Sequence, residues 1–273
     1  MIKDYKAISV EYDFSALKKS TFFITGATGL LGGCIVRFLD FLNSELDYGI
    51  RILAPVRNQQ KASAVFADLA HPENVIFLSG DMKNLPVINE KIDYIIHGAS
   101  ITASKAFVEK PVETIDIAVN GTMNVLELAK TQKVKSFVYL SSMEAFGVTP
   151  PGDMEVREED LGYIDILNVR SSYSESKRMC ELLCASYWSE YGVPARSVRL
   201  AQTLGPGIDY NDPKVTAQFA RSVIEGKDIV LKTAGKTKRP VLYVGDAVSA
   251  VLTVLLKGEN GSSYKAANPA TYC

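Results

Sequence analysis

Histidine and cysteine are scarce in this 273-residue chain, which has only His71 and His97, and Cys34, Cys180, Cys184 and Cys273. No Cys-x-x-Cys spacing occurs, so no metal site is expected; free thiols suit a reducing, cytoplasmic setting better than a disulfide framework does. Neither sign of charge is in excess. A net charge of −1 argues against nucleic acid as a partner, and no basic run points to a membrane surface. Long apolar runs are missing too: the stretch 241–256 is interrupted by Gly245 and Asp246 and falls short of a bilayer span. The first residues include Lys3, Asp4, Lys6, Glu11 and Asp13, unlike a secretory signal. What remains, 47% hydrophobic and 22% charged residues, describes a soluble globular protein with ample core.

One glycine-rich segment stands out: Thr25-Gly26-Ala27-Thr28-Gly29-Leu30-Leu31-Gly32-Gly33. The apolar run Phe22-Phe23-Ile24 precedes it, and residues 34–42 follow with apolar positions at helical spacing. Strand, glycine turn and helix together are the context of a dinucleotide fingerprint. The glycines allow a tight turn and a close approach of pyrophosphate to the backbone, and the helix N-terminus offers unpaired N–H groups. The spacing here is Gly-x-x-Gly-x-x-Gly.

From residue 21 onward strands and helices alternate. Strands are expected at 21–25, 50–56, 75–79, 94–97, 136–141 and 195–200, and helices at 30–42, 60–69, 111–131 and 173–191. Repeated βα units imply an α/β fold, a doubly wound parallel sheet of the Rossmann type, with ligands at the carboxyl ends of the strands. Residues 1–200 form the expected dinucleotide-binding domain, with 1–20 as a surface extension. Past residue 200 the pattern loosens around Gly205-Pro206-Gly207, Asn211-Asp212-Pro213 and Gly235. Residues 201–273 are expected to form a smaller substrate lobe interleaved with the first domain through a returning strand at 241–244. No closing element follows Asn268, so an incomplete lobe is an open reading.

Tyr173 and Lys177, four residues apart, fall one turn apart on one helix face. An ammonium beside a phenol favours the phenolate, so the tyrosine is expected to exchange a proton nearer neutral pH. The strand 136–141 delivers Ser141 and Ser142 to its carboxyl end. With these residues in view, the chain resembles the extended short-chain dehydrogenase/reductase family, in particular its nucleotide-sugar epimerases, dehydratases and decarboxylases. Five ordered motifs carry the resemblance: 25–32, Ser141-Ser142-Met143-Glu144-Ala145-Phe146-Gly147, Tyr173-Ser174-Glu175-Ser176-Lys177, 199–206 and 239–246.

The resemblance implies that Ser142 hydrogen-bonds the substrate oxygen, Tyr173 is the acid/base, and Lys177 holds the cofactor ribose. It implies cofactor contacts at Gly26, Thr28, Gly29, Leu30, Asp81, Met82, Gly98, Ala99 and Ser100, with Asn120 a buried amide ordering the active-site helix. Arg239 matches the arginine that grips a diphosphate, and Gln202 stands where the family has an asparagine near the sugar nucleotide. Glu144 matches the decarboxylases' glutamate, whereas Met143 replaces the aspartate that dehydratases place before it. Epimerisation or decarboxylation of a nucleotide-diphosphate sugar through a transient keto-sugar is therefore expected ahead of dehydration. A homodimer through helices 120–131 and 173–191 is expected from the same resemblance.

Cofactor choice stays open between NAD and NADP. Arg57 follows the second strand where NAD binders usually carry an acid, and a cation there suits a 2′-phosphate; it equally suits stacking on adenine. Arg57 also motivates an alternative, an NADPH-dependent carbonyl reductase. A cofactor-sensing regulator without catalysis is a third reading, disfavoured by the Ser142, Tyr173 and Lys177 set.

Overall fold

The computed structural model describes residues 1–149, 156–212, 214–231 and 240–267. Seven parallel strands make the main sheet: β1 (Thr21–Thr25), β2 (Arg51–Val56), β3 (Val75–Ser79), β4 (Tyr94–His97), β5 (Ser136–Ser142), β6 (Ala195–Leu200) and β9 (Ser263–Ala266). Their order is β3-β2-β1-β4-β5-β6-β9. β7 (Gln202–Leu204) and β8 (Val241–Tyr243) pair with each other outside that sheet. The helices are α1 (Ile2–Glu11), α2 (Leu30–Leu46), α3 (Gln59–Val65), α4 (Ser104–Glu109), α5 (Pro111–Gln132), α6 (Ser172–Tyr191), α7 (Val215–Ile224) and α8 (Val244–Lys257).

Central parallel strands must bury both faces, which is why Phe22, Phe23 and Ile24 of β1 are consecutive and apolar. The period of two splits them between two cores. Phe22 and Ile24 pack with Val138 and Val198 beneath α2 and α8, through residues such as Phe38, Leu39, Val248 and Leu252. Phe23 packs on the other face with Ile95, Phe137 and Tyr139 beneath Val125, Leu126, Cys180 and Cys184 of α5 and α6. Connections leave β1 toward β2 on one side, and β4 lies on the other. The resulting crevice opens at the carboxyl ends of β1 and β4, where α/β sheets bind ligands.

The first twenty residues are more than a surface extension. α1 buries Tyr5 and Ile8, and the Tyr5 ring meets Phe38 and Phe41 of α2. Its hydroxyl donates to the Cys34 carbonyl at 3.2 Å. At the other end of the chain, Val244 opens α8 rather than closing a strand. β9, unmarked by any strong apolar run, completes the sheet beside β6.

Candidate functional site

The glycine turn joins β1 to α2 at the crevice. Gly26 takes φ +71°, and a Cβ there would lie 2.7 Å from the Gly98 carbonyl carbon. A Cβ on Gly98 would in turn meet Leu140 Cδ1 at 2.8 Å. Gly29 is the N-cap of α2, and no side chain caps the helix. The first-turn N–H groups of such a helix have no partner within it. Thr28 and Gly29 are exposed and Leu30 half-buried at this mouth. An uncapped helix start over a turn with no room for side chains fits a pyrophosphate.

Thr25 locks this turn to β4. Its Oγ1 accepts the N–H groups of Gly98 and Ala99, both at 3.1 Å, so its own proton goes to His97 Nδ1 at 2.6 Å. His97 Nε2 then donates to Thr122 Oγ1 at 3.1 Å, and Thr122 donates to Cys180 Sγ at 3.2 Å. Burial, with a smaller push from the Lys177 charge, drives the His97 pKa down to about 3, so the ring is neutral. This column ties the glycine turn to α6 through α5.

α6 carries the candidate pair, Tyr173 and Lys177. Lys177 is 3% exposed, and its Nζ donates to the Leu140 carbonyl at 2.8 Å, 4.6 Å from the Tyr139 ring centre and 5.5 Å from that of Tyr173. Burial lowers its pKa to about 8. Tyr173 stacks on Phe107 of α4 at 4.4 Å and 10°. The structure moves the Tyr173 phenol the opposite way from the acidified one expected. Burial pushes Tyr173 up to about 12, offset in part by its hydrogen bond with Ser142 and by Arg170, while Glu144 adds to the rise. Lys177 gives its hydrogen bond to the strand, and desolvation sets the direction of the Tyr173 shift. Ser142 ends β5, and its hydroxyl accepts the Glu144 N–H at 3.2 Å, starting a 3-10 turn over Met143–Phe146.

Glu144 is held firmly. Arg170 Nη1 and Nη2 fork onto its two oxygens at 2.9 and 3.1 Å, and the Ser174 hydroxyl donates to it at 3.1 Å. Arg178 secures the same turn by donating to the Ala145 and Gly162 carbonyls at 2.7 and 2.6 Å. Sequence reasoning did not single out Arg170, His97, Thr25 or Phe107. Arg170 lies three residues before Tyr173, a spacing that brings it near the same face, which was the available signal.

The remaining expected residues scatter around this centre. Arg57 is exposed at the carboxyl end of β2. Asp81 is exposed after β3, its Oδ1 accepting the Lys83 and Asn84 N–H groups at 2.8 and 2.9 Å in a turn. Met82 is buried, with its Cβ 2.8 Å from where a Gly121 Cβ would stand. Ala99 and Ser100 are half-buried beside the glycine turn, and the Ser100 hydroxyl donates to the Ile101 carbonyl at 3.3 Å. Gln202 opens β7 and donates to Thr216 Oγ1 at 3.2 Å. Asn120 is a correction: it is exposed on α5 and donates to Asp116 at 2.6 Å. Helical period places Ala118 and Thr122 toward α6 instead. Arg239, with Lys232, Lys236 and Lys238, lies outside the described residues. Among the described residues no group of three or more His, Cys, Asp or Glu is placed to hold a metal, and no helix is long and apolar enough to cross a membrane.

A parallel sheet in the order β3-β2-β1-β4-β5-β6-β9, with a serine, a tyrosine and a lysine at the carboxyl end of β5, defines an α/β protein of the Rossmann type. The sequence pattern of the NAD dependent epimerase/dehydratase family matches residues 22–268, and the chain belongs to that family. UDP-glucuronic acid decarboxylase 1 of Xenopus tropicalis is 30% identical over 182 residues, covering 66% of this chain and 42% of that protein. The dTDP-D-glucose 4,6-dehydratase of Dictyostelium discoideum is 29% identical over 261 residues, covering 88% and 56%. The chain spans about half the length of these curated relatives. Among solved structures, the UDP-N-acetylglucosamine 4-epimerase from Methanobrevibacter ruminantium, in complex with UDP-N-acetylmuramic acid, shares the fold with a TM-score of 0.79. It is 20% identical, and the match covers 94% of this chain and 78% of that one.

Proposed function

We propose that this protein acts on a nucleotide-diphosphate sugar through a transient keto-sugar, with decarboxylation or epimerisation favoured over dehydration. The gathering of Ser142, Tyr173 and Lys177 at the end of β5 carries this reading. Residues 26–30 would hold the pyrophosphate on α2, and Lys177 the adjoining ribose. A bound nicotinamide supplies a reversible hydride acceptor. Tyr173 Oη takes the proton from the sugar hydroxyl being oxidised, and Ser142 Oγ holds that oxygen in line, which favours reaction by proximity. A substrate oxygen and a cofactor held beside Tyr173 would change the field that raises its pKa. The new carbonyl weakens neighbouring C–H and C–carboxylate bonds, so inversion or loss of carbon dioxide follows. Dehydration additionally needs an acid beside Glu144, and Met143 has none to offer.

The test is turnover of a panel of UDP-, dTDP-, CDP- and GDP-sugars by cofactor-loaded protein, with products weighed by mass spectrometry. Turnover of none of them would sink the proposal. A second reading, net reduction of a carbonyl with NADPH, is favoured by Arg57, whose exposed guanidinium suits a 2′-phosphate. It would show as a steady absorbance change at 340 nm, which a recycling enzyme lacks. The same residue makes NADP the cofactor to compare directly with NAD.

We also infer a homodimer. α5 exposes Val112, Ile115 and Met123, and α6 exposes Met179 and Leu182, an apolar surface of the kind that helices bury against a second copy. Light scattering at micromolar concentration tests it. Cys34, Cys180 and Cys184 are free and buried, which supports a reducing, cytoplasmic setting.

A further inference from the structure

β5 ends at the candidate site, and α6 is pinned to that end by polar contacts on consecutive turns. Lys177 Nζ donates to the Leu140 carbonyl at 2.8 Å, and Glu181, one turn further along the helix, accepts the Ser141 hydroxyl at 2.5 Å. The next strand residue is Ser142, and one turn back from Lys177 is Tyr173, whose hydroxyl bonds it. Glu181 is itself clamped. Arg199 stands opposite Ser141 in the ladder between β5 and β6, and its Nε and Nη2 fork onto the carboxylate at 3.0 and 2.7 Å. The same guanidinium lies 4.8 Å from the centre of the Phe146 ring, which closes the 3-10 turn begun by Ser142. Ser142 is thus held on both sides, through Ser141 before it and Phe146 after it.

Stability is a poor account of this cluster. The Arg199 and Glu181 side chains are 6% and 9% exposed, and an ion pair so enclosed loses about as much hydration as its attraction restores. An apolar pair of the same volume commonly serves a fold as well or better. Apolar contacts, however, are non-directional. Cys180 and Cys184 of α6 pack in one cluster with Phe137 and Tyr139 of β5, and surfaces of that kind fix the setting of a helix along a strand only loosely. A hydrogen bond holds its atoms within a narrow range of distance and angle, and a two-pronged guanidinium contact fixes orientation as well.

We propose that Glu181, clamped by Arg199, is a positioning residue for the Ser142–Tyr173 pair: its hold on the Ser141 hydroxyl sets α6 along β5 so that the two hydroxyls converge on one point. Glu181 touches no substrate and moves no proton in this role. Its chemical meaning rests on the nucleotide-sugar reading, in which Tyr173 Oη and Ser142 Oγ must reach the same sugar oxygen. A slip of about 1 Å between helix and strand would then lower the rate by roughly 100-fold, while the remaining substrate contacts stay in place.

Three variants test it. Ser141→Ala removes the strand's hydroxyl and keeps the ion pair, Ser141→Thr restores the hydroxyl, and Arg199→Leu with Glu181→Leu replaces the clamp by an apolar pair. The first readout needs neither cofactor nor sugar. In protein carrying carbon-13 at each tyrosine Cζ, the Tyr173 resonance is the one absent from Tyr173→Phe, and its shift follows the hydroxyl's hydrogen bond. That resonance is expected to move in Ser141→Ala and in the double variant, and to return in Ser141→Thr. The second readout is turnover of the UDP- and dTDP-sugars by NAD-loaded protein. In Ser141→Ala and the double variant kcat is expected to fall about 10- to 100-fold with KM within about twofold. The double variant does so even though its stability in urea recovers. A Tyr173 resonance unmoved in Ser141→Ala, or a double variant whose turnover returns with its stability, overturns the proposal. Turnover by none of the proteins, the unmodified one included, overturns the nucleotide-sugar reading instead, and the resonance still decides the role of Glu181.

Discussion

Replacing Lys177 by methionine should make the ligand-free protein more stable, and by an amount that depends on pH. The lysine is almost fully enclosed, with one hydrogen bond to Leu140 and two aromatic rings nearby, and burial lowers its pKa from the ordinary 10.5 to about 8. That fall corresponds to about 3 kcal/mol of penalty for the charged form in the folded state. Because the folded pKa lies below the unfolded one, the unfolded chain holds more protons, and stability of the natural protein rises with pH between about 8 and 10.5. The penalty is complete below about pH 8. Methionine of similar length removes it, and losing the hydrogen bond to the Leu140 carbonyl returns about 1 kcal/mol. The expected net gain is about 2 kcal/mol at pH 6, shrinking toward zero by about pH 10. Urea melts of both proteins at a series of pH values measure it. A variant that is less stable at pH 6, or a difference independent of pH, refutes the claim that the buried ammonium costs more than its partners return. Turnover should be lost in the same variant, since the proposed ribose contact goes with the amine.

Arg199→Leu should cost roughly 3–5 kcal/mol, because Glu181 is left charged and enclosed; replacing Glu181 by leucine as well should recover much of it, as a double-mutant cycle in urea would register. Gly26→Ala should destabilise the fold by more than about 1 kcal/mol and abolish cofactor retention, since φ +71° and the approach to Gly98 leave no place for a methyl group; a mutant that copurifies with cofactor would contradict the turn geometry. The neutral His97 predicts acid sensitivity. With a folded pKa of about 3 against 6.5 unfolded, stability should fall as pH drops below 6.5, at about 1.4 kcal/mol per pH unit. His97→Phe should flatten that slope, and proton NMR of the imidazole should find no titration near neutrality. Tyr173→Phe should eliminate turnover while leaving nucleotide-sugar binding within about threefold.

The architecture was readable because its causes are local. Consecutive apolar residues such as Phe22-Phe23-Ile24 declare a strand buried on both faces, and glycines at 26, 29 and 32 declare a turn with no room for side chains. Apolar residues at helical spacing placed α2, α5 and α6. β9 escaped notice because Ser263–Ala266 is half polar and owes its strand state to pairing with β6. Asn120 was misplaced because its burial was carried over from the family resemblance, whereas here it lies on the exposed face of α5 and bonds Asp116.

The amino-acid order alone determined the doubly wound sheet and the glycine turn, since backbone sterics and hydrophobic period act over a few residues; the Ser142, Tyr173 and Lys177 set was legible through a family resemblance. Only the folded chain decided how those groups are charged and held. Burial raises Tyr173 and lowers Lys177, Arg170 captures Glu144 from 26 positions away in sequence, and the Thr25–His97–Thr122 column joins three separate elements. Desolvation and Coulomb interactions depend on distance in space, and that distance exists only once the sheet has closed under its helices.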